Sequence, residues 1–346
     1  MELPALDDLD TFPKLLLHNA SNWPADVAMR EKDLGIWNVH TWSDCREQVR
    51  RIALGLKHLG LERGEVVAII GRNRPNWVWS ELAAHSLGGM TLGIYEDVLA
   101  AEAGYLIEYA GAGIVICEDE EQVDKMLELG PAGRSLRHIV YHDDRGMRKY
   151  DDPRLVSWRR LLELGDSFAR LDPGCFEAEI AKGKLAMLQF KPFLAHISAY
   201  LRADPREPTD EYVSILPLPW IMEQVYVVVM PLLCRIRINF PESPETAMRD
   251  LREIGPTHLL LAPRVWEQTA ADVRARIMDA GRRTRAIFHW GVERATAAVE
   301  RGKRSRLADL LLMGALRDRL GFARVRSAAT GGSALGPDTF RFFLAM

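Results

Sequence analysis

The spacing of apolar residues in the first half of the chain alternates between the periods of helices and strands. Apolar residues recur at intervals of three and four across residues 41–60, which predicts an amphipathic helix. Thr41 and Asp44 have the spacing of a capping box at its start. Residues 66–70 then form a short apolar run between two glycines, as expected for a buried strand.

The same alternation continues along the rest of the chain. It predicts helices over 77–87, 101–109, 121–129, 221–233 and 244–254 and from 337, and strands over 90–94, 114–117, 139–141, 212–216, 236–240, 258–262 and 325–329. Such alternation is typical of parallel sheets covered by helices, so we predict an α/β fold.

Two polar stretches interrupt this alternation. Residues 142–153 and 165–183 are rich in turn-forming and charged residues, which makes them the predicted linkers. We therefore expect a first α/β subdomain over residues 1–183 and a second over residues 184–346.

Length and composition support a folded protein of this class. The 346 residues correspond to roughly two units of about 150 residues. Apolar residues make up 48% and charged residues 27%, which excludes collagen-like, coiled-coil and disordered chains. Lys and Arg number 45 against 48 Asp and Glu, for a net charge of −3, so we expect no nucleic acid partner.

Neither secretion nor a membrane span is indicated. The four cysteines are widely spaced without a CxxC pair, which favours ordinary thiols in a reducing cytosol over a zinc or redox site. The first ten residues lack the build of a signal peptide. The longest apolar run, 225–234, has about half the length of a spanning helix. The cytoplasm is the expected location.

One stretch of the second half is strongly basic. Only Glu293 and Glu300 oppose its basic residues, which are Arg282, Arg283, Arg285, Arg294, Arg301, Lys303, Arg304 and Arg306. A solvated helix face is one interpretation, and attraction to an anionic membrane or to a polyanionic cofactor is the other. A homodimer is a further association that the sequence leaves open.

Several familiar catalytic patterns are incomplete. The glycines that begin at Gly111 follow a predicted helix and lack the third glycine of a dinucleotide fingerprint. Gly183 and Lys184 lack the first glycine and the hydroxyl of a Walker loop. His138 and His142 flank a predicted strand, where a spacing of four does not form a metal site. No metal ligand is therefore assigned.

The segment LPLPWIMEQ (216–224) is the first of two informative segments. It places Trp220 and Glu223 three residues apart at the start of an apolar helix. Trp220 could be a core anchor and Glu223 a first-turn charge that the helix dipole favours. Alternatively, the aromatic side chain lines or gates a pocket for an apolar chain.

The second informative segment is AATGGSAL (328–335), which follows a predicted strand. Gly331, Gly332 and Ser333, called the glycine loop below, form either a plain tight turn or a place where a ligand approaches the backbone. Ligands gather at the carboxyl ends of strands in open α/β sheets, and the loop should occupy such an end.

Together with others, these segments form an ordered series of motifs. The series runs GEVVAIIGRNRPNW (64–77), AAHSLGGMTLGIY (83–95), KLAML (184–188), LPLPWIME (216–223), GPT (255–257), APRVWE (262–267) and GGSAL (331–335). It resembles the adenylate-forming (AMP-binding) acyl-CoA synthetases, in particular the long-chain fatty acid–CoA ligase branch. The resemblance implies the large N-terminal domain of such an enzyme, with mostly parallel sheets layered with helices.

The resemblance also implies a chemistry and its residues. Such enzymes use ATP, Mg²⁺ and coenzyme A to convert a fatty acid into an acyl-adenylate and then a thioester, in fatty acid metabolism. By resemblance, Lys184 belongs to the phosphate-binding loop, and the glycine loop lines the meeting point of adenine and acyl carboxylate. Trp220 and Glu223 would lie near the acyl pocket. The catalytic residues stay unassigned.

The chain departs from the family pattern in ways that affect these expectations. Residues 177–183 contain Glu177 and Glu179 and no hydroxyl where the family has a phosphate cradle, so acidic side chains would repel phosphate there. Trp220 replaces a histidine. The motifs expected after Met346, with the magnesium ligand, the catalytic lysine and the small C-terminal domain, are not in the sequence.

From these departures we expect an incomplete N-terminal portion that is inactive alone. Two alternatives to a long-chain ligase stay open. One is a ligase of the same family for an aryl or medium-chain acid, and the other is a catalytically silent acyl-binding module.

Overall fold

Helices and strands alternate along most of the chain. The computed structural model describes residues 3–183 and 190–346. The strands are β1 (Val27–Asp33), β2 (Ile36–Thr41), β3 (Val66–Ile70), β4 (Met90–Ile94), β5 (Ile114–Cys117), β6 (His138–Tyr141), β7 (Leu155–Ser157), β8 (Glu211–Val213), β9 (Arg237–Phe240), β10 (His258–Leu260) and β11 (Ser327–Ala329).

The α-helices of the described residues vary from one turn to five. They are α1 (Phe12–Asn22), α2 (Trp42–His58), α3 (Pro75–Ser86), α4 (Ala100–Ala110), α5 (Glu120–Leu127), α6 (Trp158–Leu171), α7 (Cys175–Ala181), α8 (Phe190–Ala203), α9 (Ile221–Gln224), α10 (Met230–Cys234), α11 (Ala247–Ile254), α12 (Pro263–Met278), α13 (Arg282–Val299), α14 (Arg306–Ala308), α15 (Gly314–Leu320) and α16 (Pro337–Ala345). π-Helical turns at Val225–Val229 and Asp309–Met313 join α9 to α10 and α14 to α15.

A five-stranded parallel sheet organises the first half, in the order β4-β3-β5-β6-β7. All residues of β3 and β5 are buried, because helices cover both faces of a parallel sheet. The predicted strands over 66–70, 90–94 and 114–117 are confirmed at their bounds. The α/β prediction is therefore correct for this half.

Helix α2 begins with the predicted capping box. The Thr41 hydroxyl accepts a hydrogen bond from the Asp44 backbone N–H at 3.2 Å. The Asp44 carboxylate accepts one from the Thr41 backbone N–H at 2.9 Å. Two of the backbone donors at the helix start are thus satisfied, which stabilises its first turn.

The linker predicted over 165–183 is wrong, because that stretch is mostly helical. It contains the second half of α6 and all of α7. Gly165 is a helical residue at a close contact, since a Cβ placed on it would lie 2.0 Å from the Arg51 carbonyl oxygen of α2. Gly55 of α2 is equally close to α6, with a Cβ 2.4 Å from the Leu161 carbonyl oxygen. These glycines allow two helices to pack closely and do not form turns.

A second sheet contains a hairpin that the apolar pattern does not predict. Strands β1 and β2 pair antiparallel through a turn at Leu34 and Gly35, and β1 also pairs parallel with β9. Leu34 has φ 48° and Gly35 has φ 78°, both in the left-handed region. Both central residues of a type I′ hairpin turn require such angles.

Strands β10 and β11 form a parallel pair in the second half of the chain. Helices α11 to α16 surround an aromatic core whose members include Trp266, Phe288, Phe322 and Phe342. Trp266 and Phe343 pack edge to face with ring centroids 4.7 Å apart. Trp266 and Phe343 also line a cavity next to Ala329, the last residue of β11.

The chain divides into two compact units that interleave in sequence. One comprises residues 3–209 and 217–240 among those described, and the other 210–216 and 241–346. The subdomain boundary predicted between Gly183 and Lys184 adjoins residues outside the described part and stays a prediction. All four cysteines are buried and free, as expected of ordinary thiols.

A bilayer-crossing helix is absent from residues 3–183 and 190–346, where each helix is too short or too polar to span the apolar core.

Candidate functional site

An exposed apolar turn leads into α9 and includes the first two residues of that helix. It comprises residues 217–222 and is called the aromatic turn below. Trp220 is half-buried and stands at the N-cap of α9, where its backbone N–H donates to the Pro217 carbonyl oxygen at 3.0 Å. Ile221 and Met222 are 47% and 36% exposed. The turn therefore presents an apolar surface on which an apolar ligand could pack.

Polar side chains hold the aromatic turn from both sides. The Leu218 backbone N–H donates to Asn73 Oδ1 at 3.0 Å, and the Leu218 carbonyl oxygen accepts from Gln224 Nε2 at 2.9 Å. Gly93 of β4 lies beneath the turn, since a Cβ placed on it would be 3.2 Å from Pro219 Cα. The position of the turn is thus set by specific contacts with the loop before α3 and with β4.

A buried carboxyl group lies behind this arrangement. Glu81 of α3 is 6% exposed, and its Oε2 accepts a hydrogen bond from Gln224 Nε2 at 3.1 Å. Burial raises the pKa of Glu81 to about 7, against the opposing effect of hydrogen bonds from Gln224 and Trp77. Glu223, predicted near an acyl pocket, is fully buried in the first turn of α9.

The glycine loop follows β11 in the other compact unit. Gly332 has φ 96°, a conformation that strains any residue with a Cβ, and Ser333 is exposed. Strands β10 and β11 are parallel, so the loop lies at a carboxyl edge of the kind where ligands bind in α/β proteins. The predicted location of the loop is confirmed, and its role stays a prediction.

A cavity of about 310 Å³ adjoins this strand end. Ala329, Thr330 and Leu335 contribute the part of its wall next to the glycine loop. Aromatic side chains, including Trp266, Phe340 and Phe343, form much of the rest. Its volume and its mostly apolar lining suit a small organic ligand.

A buried charged cluster fixes the opposite end of the two strands. Asp210 and His258 are 1% and 2% exposed, and His258 Nε2 lies 2.9 Å from Asp210 Oδ2. Arg326, one residue before β11, donates to both carboxylate oxygens of Asp210. The cluster ties the amino ends of β10 and β11 together and so supports the loop at their other end.

The segment ahead of Lys184 is helix α7 and carries paired charges. Glu177 forms an ion pair with Arg46 at 2.7 Å, and Glu179 is bonded by Lys57 at 2.6 Å and by Lys182 at 3.0 Å. Burial alone would raise the pKa of the Glu179 carboxyl group. The hydrogen bonds from Lys57 and Lys182 outweigh this effect, so the pKa is lowered. Pairing therefore weakens the phosphate repulsion expected there. Lys184 lies outside the described residues.

A preformed metal site built from three or more protein ligands is absent from residues 3–183 and 190–346. No three carboxylate, imidazole or thiol groups converge there in a way that could hold a metal ion. Mg²⁺ bound together with ATP takes most of its ligands from phosphates and water, so its site does not require such a cluster.

The fold places the chain among the α/β proteins that carry loops at the carboxyl ends of parallel strands. The model of the family described as AMP-binding enzyme matches residues 16–162 and 181–346. The chain therefore belongs to the AMP-binding enzyme family, and the resemblance seen in its motifs is confirmed.

Curated relatives match nearly the whole chain. The long-chain-fatty-acid–CoA ligase ACSBG2 of Rattus norvegicus is 26% identical over 369 residues, covering 97% of this chain and 55% of the relative. The long-chain-fatty-acid–CoA ligase ACSBG1 of Bos taurus is 26% identical, covering 92% of this chain and 48% of the relative. The chain thus spans about half the length of these relatives.

Solved structures share the fold at low sequence identity. The A domain of carboxylic acid reductase from Segniliparus rugosus, in complex with AMP and a co-purified carboxylic acid, matches with TM-score 0.63 and 14% identity, over 96% of this chain and 58% of that one. The inhibitor-bound N-terminal domain of FACL13 from Mycobacterium tuberculosis matches with TM-score 0.64 and 12% identity, over 96% and 73%. The predicted fold class, an N-terminal domain of adenylate-forming type, is confirmed.

The sequence analysis does not identify three polar residues of the aromatic-turn site: Asn73, Glu81 and Gln224. Asn73 and Gln224 belong to motifs that the sequence singles out, but nothing in those motifs shows that both contact Leu218. A carboxylate among the apolar residues of 77–87 is the signal that could have drawn attention to Glu81.

Proposed function

We propose that the protein takes part in the ATP-dependent activation of a long-chain fatty acid to an acyl-adenylate and then to acyl-CoA. The observation that carries the proposal is the family match together with long-chain-fatty-acid–CoA ligase relatives aligned over 97% of the chain. The exposed apolar aromatic turn and the apolar cavity beside the glycine loop support it.

The proposed reaction has two displacement steps. A carboxylate oxygen of the fatty acid attacks the α-phosphorus of ATP, and the P–O bond to pyrophosphate breaks. The thiol sulfur of coenzyme A, having lost its proton, then attacks the acyl carbonyl carbon, and AMP leaves. The first step brings an anion to a polyanion, so positioning and charge neutralisation are what a protein must supply.

We assign the predicted residues to this reaction as follows. The glycine loop admits the adenylate close to the backbone, because Gly331 and Gly332 carry no side chain there. Trp220 contacts the acyl chain from the aromatic turn. Glu223 supports that turn from the first turn of α9, where the helix dipole favours a carboxylate. Lys184 interacts with the phosphates.

Binding and adenylation together test the proposal. We expect calorimetry to show palmitate binding by the protein that exceeds benzoate binding at least tenfold, because the apolar surface gained grows with chain length. Hydroxylamine should trap the adenylate that a full-length protein containing this sequence forms from ATP and palmitate. A preference for benzoate or octanoate would contradict the long-chain assignment.

Replacing Trp220 with alanine should change chain-length preference. We expect the palmitate-to-octanoate affinity ratio to shift about fivefold or more, since an indole in contact with the chain defines part of its path. Trp37→Ala is the matched control, because Trp37 is also half-buried but lies in β2. An unchanged ratio in W220A would remove Trp220 from the acyl site.

A silent acyl-binding module is the second candidate function. Helix α7, with its paired Glu177 and Glu179, stands where the family has a hydroxyl-rich phosphate loop, and this favours a chain without ATP chemistry. Such a module would bind palmitate but form no hydroxamate when ATP and hydroxylamine are added.

We also propose that the basic stretch 282–306 contacts an anionic membrane. Beside it, Leu310 and Leu311 are 80% and 53% exposed, and four basic residues before them are exposed as well: Arg301, Lys303, Arg304 and Arg306. Exposed leucines next to clustered cations are typical of a helix that lies in the membrane interface.

Sedimentation with phosphatidylserine vesicles tests this contact. We expect binding at low salt that falls at high salt, because screening weakens the attraction to the lipid headgroups. Leu310→Ser should weaken binding, whereas Leu34→Ser should not, although Leu34 is 86% exposed. Binding that is absent, or that salt does not affect, would refute the contact.

A further inference from the structure

A groove of about 440 Å³ lies among helices α11, α12 and α15. Its arginines come from all three helices: Arg252 from α11, Arg264 and Arg276 from α12, and Arg319 from α15. We call it the arginine groove. Its lining shares no residue with the cavity beside the glycine loop, and neither the aromatic turn nor the proposed function accounts for it.

The charges of the arginine groove are unbalanced within the described part of the chain. None of the four arginines forms an ion pair with a carboxylate there, and Arg252 instead donates Nε–H to the Met248 carbonyl oxygen at 3.3 Å. Asp272 is the acidic residue of the lining, and its Oδ1 accepts from Gln268 Nε2 at 2.7 Å. Clustered positive charge of this kind repels itself, and an anion in the groove would relieve that repulsion.

The fold brings these arginines together by specific packing. Gly321, which ends α15 with φ 79°, contacts α11 so closely that a Cβ placed on it would lie 2.6 Å from Arg252 Cα. This contact brings the end of α15, which carries Arg319, against α11, which carries Arg252. On α12, Arg264 lies in the first turn and Arg276 in the last turn, and both line the groove.

The floor of the groove is apolar. Val265, Val273 and Leu320 line it between the arginines. The Thr269 hydroxyl, which could offer a polar contact, already donates to the Val265 carbonyl oxygen at 2.7 Å. A ligand that fits both parts carries negative charge together with an apolar body.

We propose that the arginine groove binds a phosphate-bearing amphiphile. Guanidinium groups present paired N–H donors that match phosphate oxygens, and several of them together select phosphate over a single carboxylate. The groove volume lies within the range of small-molecule sites. The apolar floor receives the acyl part of the same molecule.

Calorimetry on the full chain with three soluble probes tests this proposal. Dioctanoyl phosphatidic acid carries both features, inorganic phosphate carries the anion alone, and dioctanoylglycerol carries the apolar body alone. We expect phosphatidic acid to bind at least tenfold more tightly than either other probe. Phosphate binding as tight as that of phosphatidic acid would show that the floor is unused and would overturn the amphiphile assignment.

Charge-reversal variants locate the binding. Arg264→Glu with Arg276→Glu should weaken phosphatidic acid binding at least about tenfold, because charge-assisted hydrogen bonds become repulsive contacts. Arg148→Glu with Lys149→Glu makes the same change of charge at exposed positions after β6, outside the groove and outside the basic stretch 282–306, and should leave the affinity unchanged. Equal losses in both pairs would assign binding to general surface charge and refute the groove.

A third variant tests the groove without changing its charge. Gln268→Trp places a large ring into the groove from an exposed position on α12 and should also weaken phosphatidic acid binding. Thermal melting confirms that each variant is folded. Full binding by both folded Q268W and the folded R264E/R276E pair would overturn the proposal. None of these measurements requires ATP, so their failure is separable from failure of the proposed ligase function.

Discussion

Replacing Gly165 with alanine is expected to lower the free energy of unfolding by about 3 kcal/mol. The new Cβ would lie 2.0 Å from the Arg51 carbonyl oxygen and 2.8 Å from its carbonyl carbon. Both are backbone atoms of α2, so no side-chain rotation relieves the overlap, and α6 must move away from α2. The higher helix propensity of alanine offsets only about 1 kcal/mol of this loss.

Gly174→Ala is the matched control for G165A. Gly174 stands before α7 with φ −95°, and a Cβ placed on it meets nothing within 4 Å. We expect its effect on the free energy of unfolding to be small, because alanine restricts the unfolded chain but is a poorer N-cap residue than glycine. Urea denaturation of both variants supplies the comparison. Equal stabilities would show that α2 and α6 do not depend on the small residue.

The wrong linker prediction over residues 165–183 shows that a glycine alone does not distinguish a turn from a close contact between helices. Gly165 in a charged, turn-rich stretch predicts a linker on local grounds. Its role depends instead on Arg51, more than a hundred residues earlier, which no local pattern reveals. The helix over 41–60 and the strand over 66–70 are predicted correctly. A helix buried on one face has apolar residues at intervals of three and four, and a buried parallel strand is a continuous apolar run, so both are visible in the local sequence.

The hairpin of β1 and β2 is not predicted either, because its local sequence carries little pattern. Its residues are largely polar or half-buried, and Ile36 and Val39 are exposed. Alternation therefore carries little signal there. The parallel partner of β1 in the sheet is β9, which follows about 200 residues later in the chain. The local sequence of neither strand indicates such a distant partner.

Sequence motifs identify some residues of the candidate site, whereas other residues are identified only by their contacts in the folded structure. Trp220 and the glycine loop are recognisable from residue type and order, since large aromatic residues and paired glycines at element ends are uncommon. The contact that holds the aromatic turn joins Asn73 to Leu218 across 145 positions of sequence. Residue types alone do not identify such a pair.

Replacing Glu81 with glutamine is expected to remove a pH dependence of stability. Burial raises the pKa of Glu81 to about 7 in the folded chain, from 4.5 for an unperturbed group. The folded state thus binds the proton more tightly than the unfolded state. Its stability falls as pH rises from about 4.5 to about 7, with a total loss of up to about 3 kcal/mol.

Urea denaturation at pH 5 and pH 8 separates Glu81→Gln from the parent chain. The amide cannot ionise and still offers an oxygen to Gln224 Nε2, so E81Q should keep its stability at pH 8 and exceed the parent there. Glu108→Gln, an exposed change on α4, should retain the parental pH dependence. If E81Q and the parent lose the same stability over this interval, Glu81 is not the group that titrates. A flat profile in E81Q alone would show that protonation of Glu81 stabilises the packing of α3 against Gln224, and through Gln224 the aromatic turn.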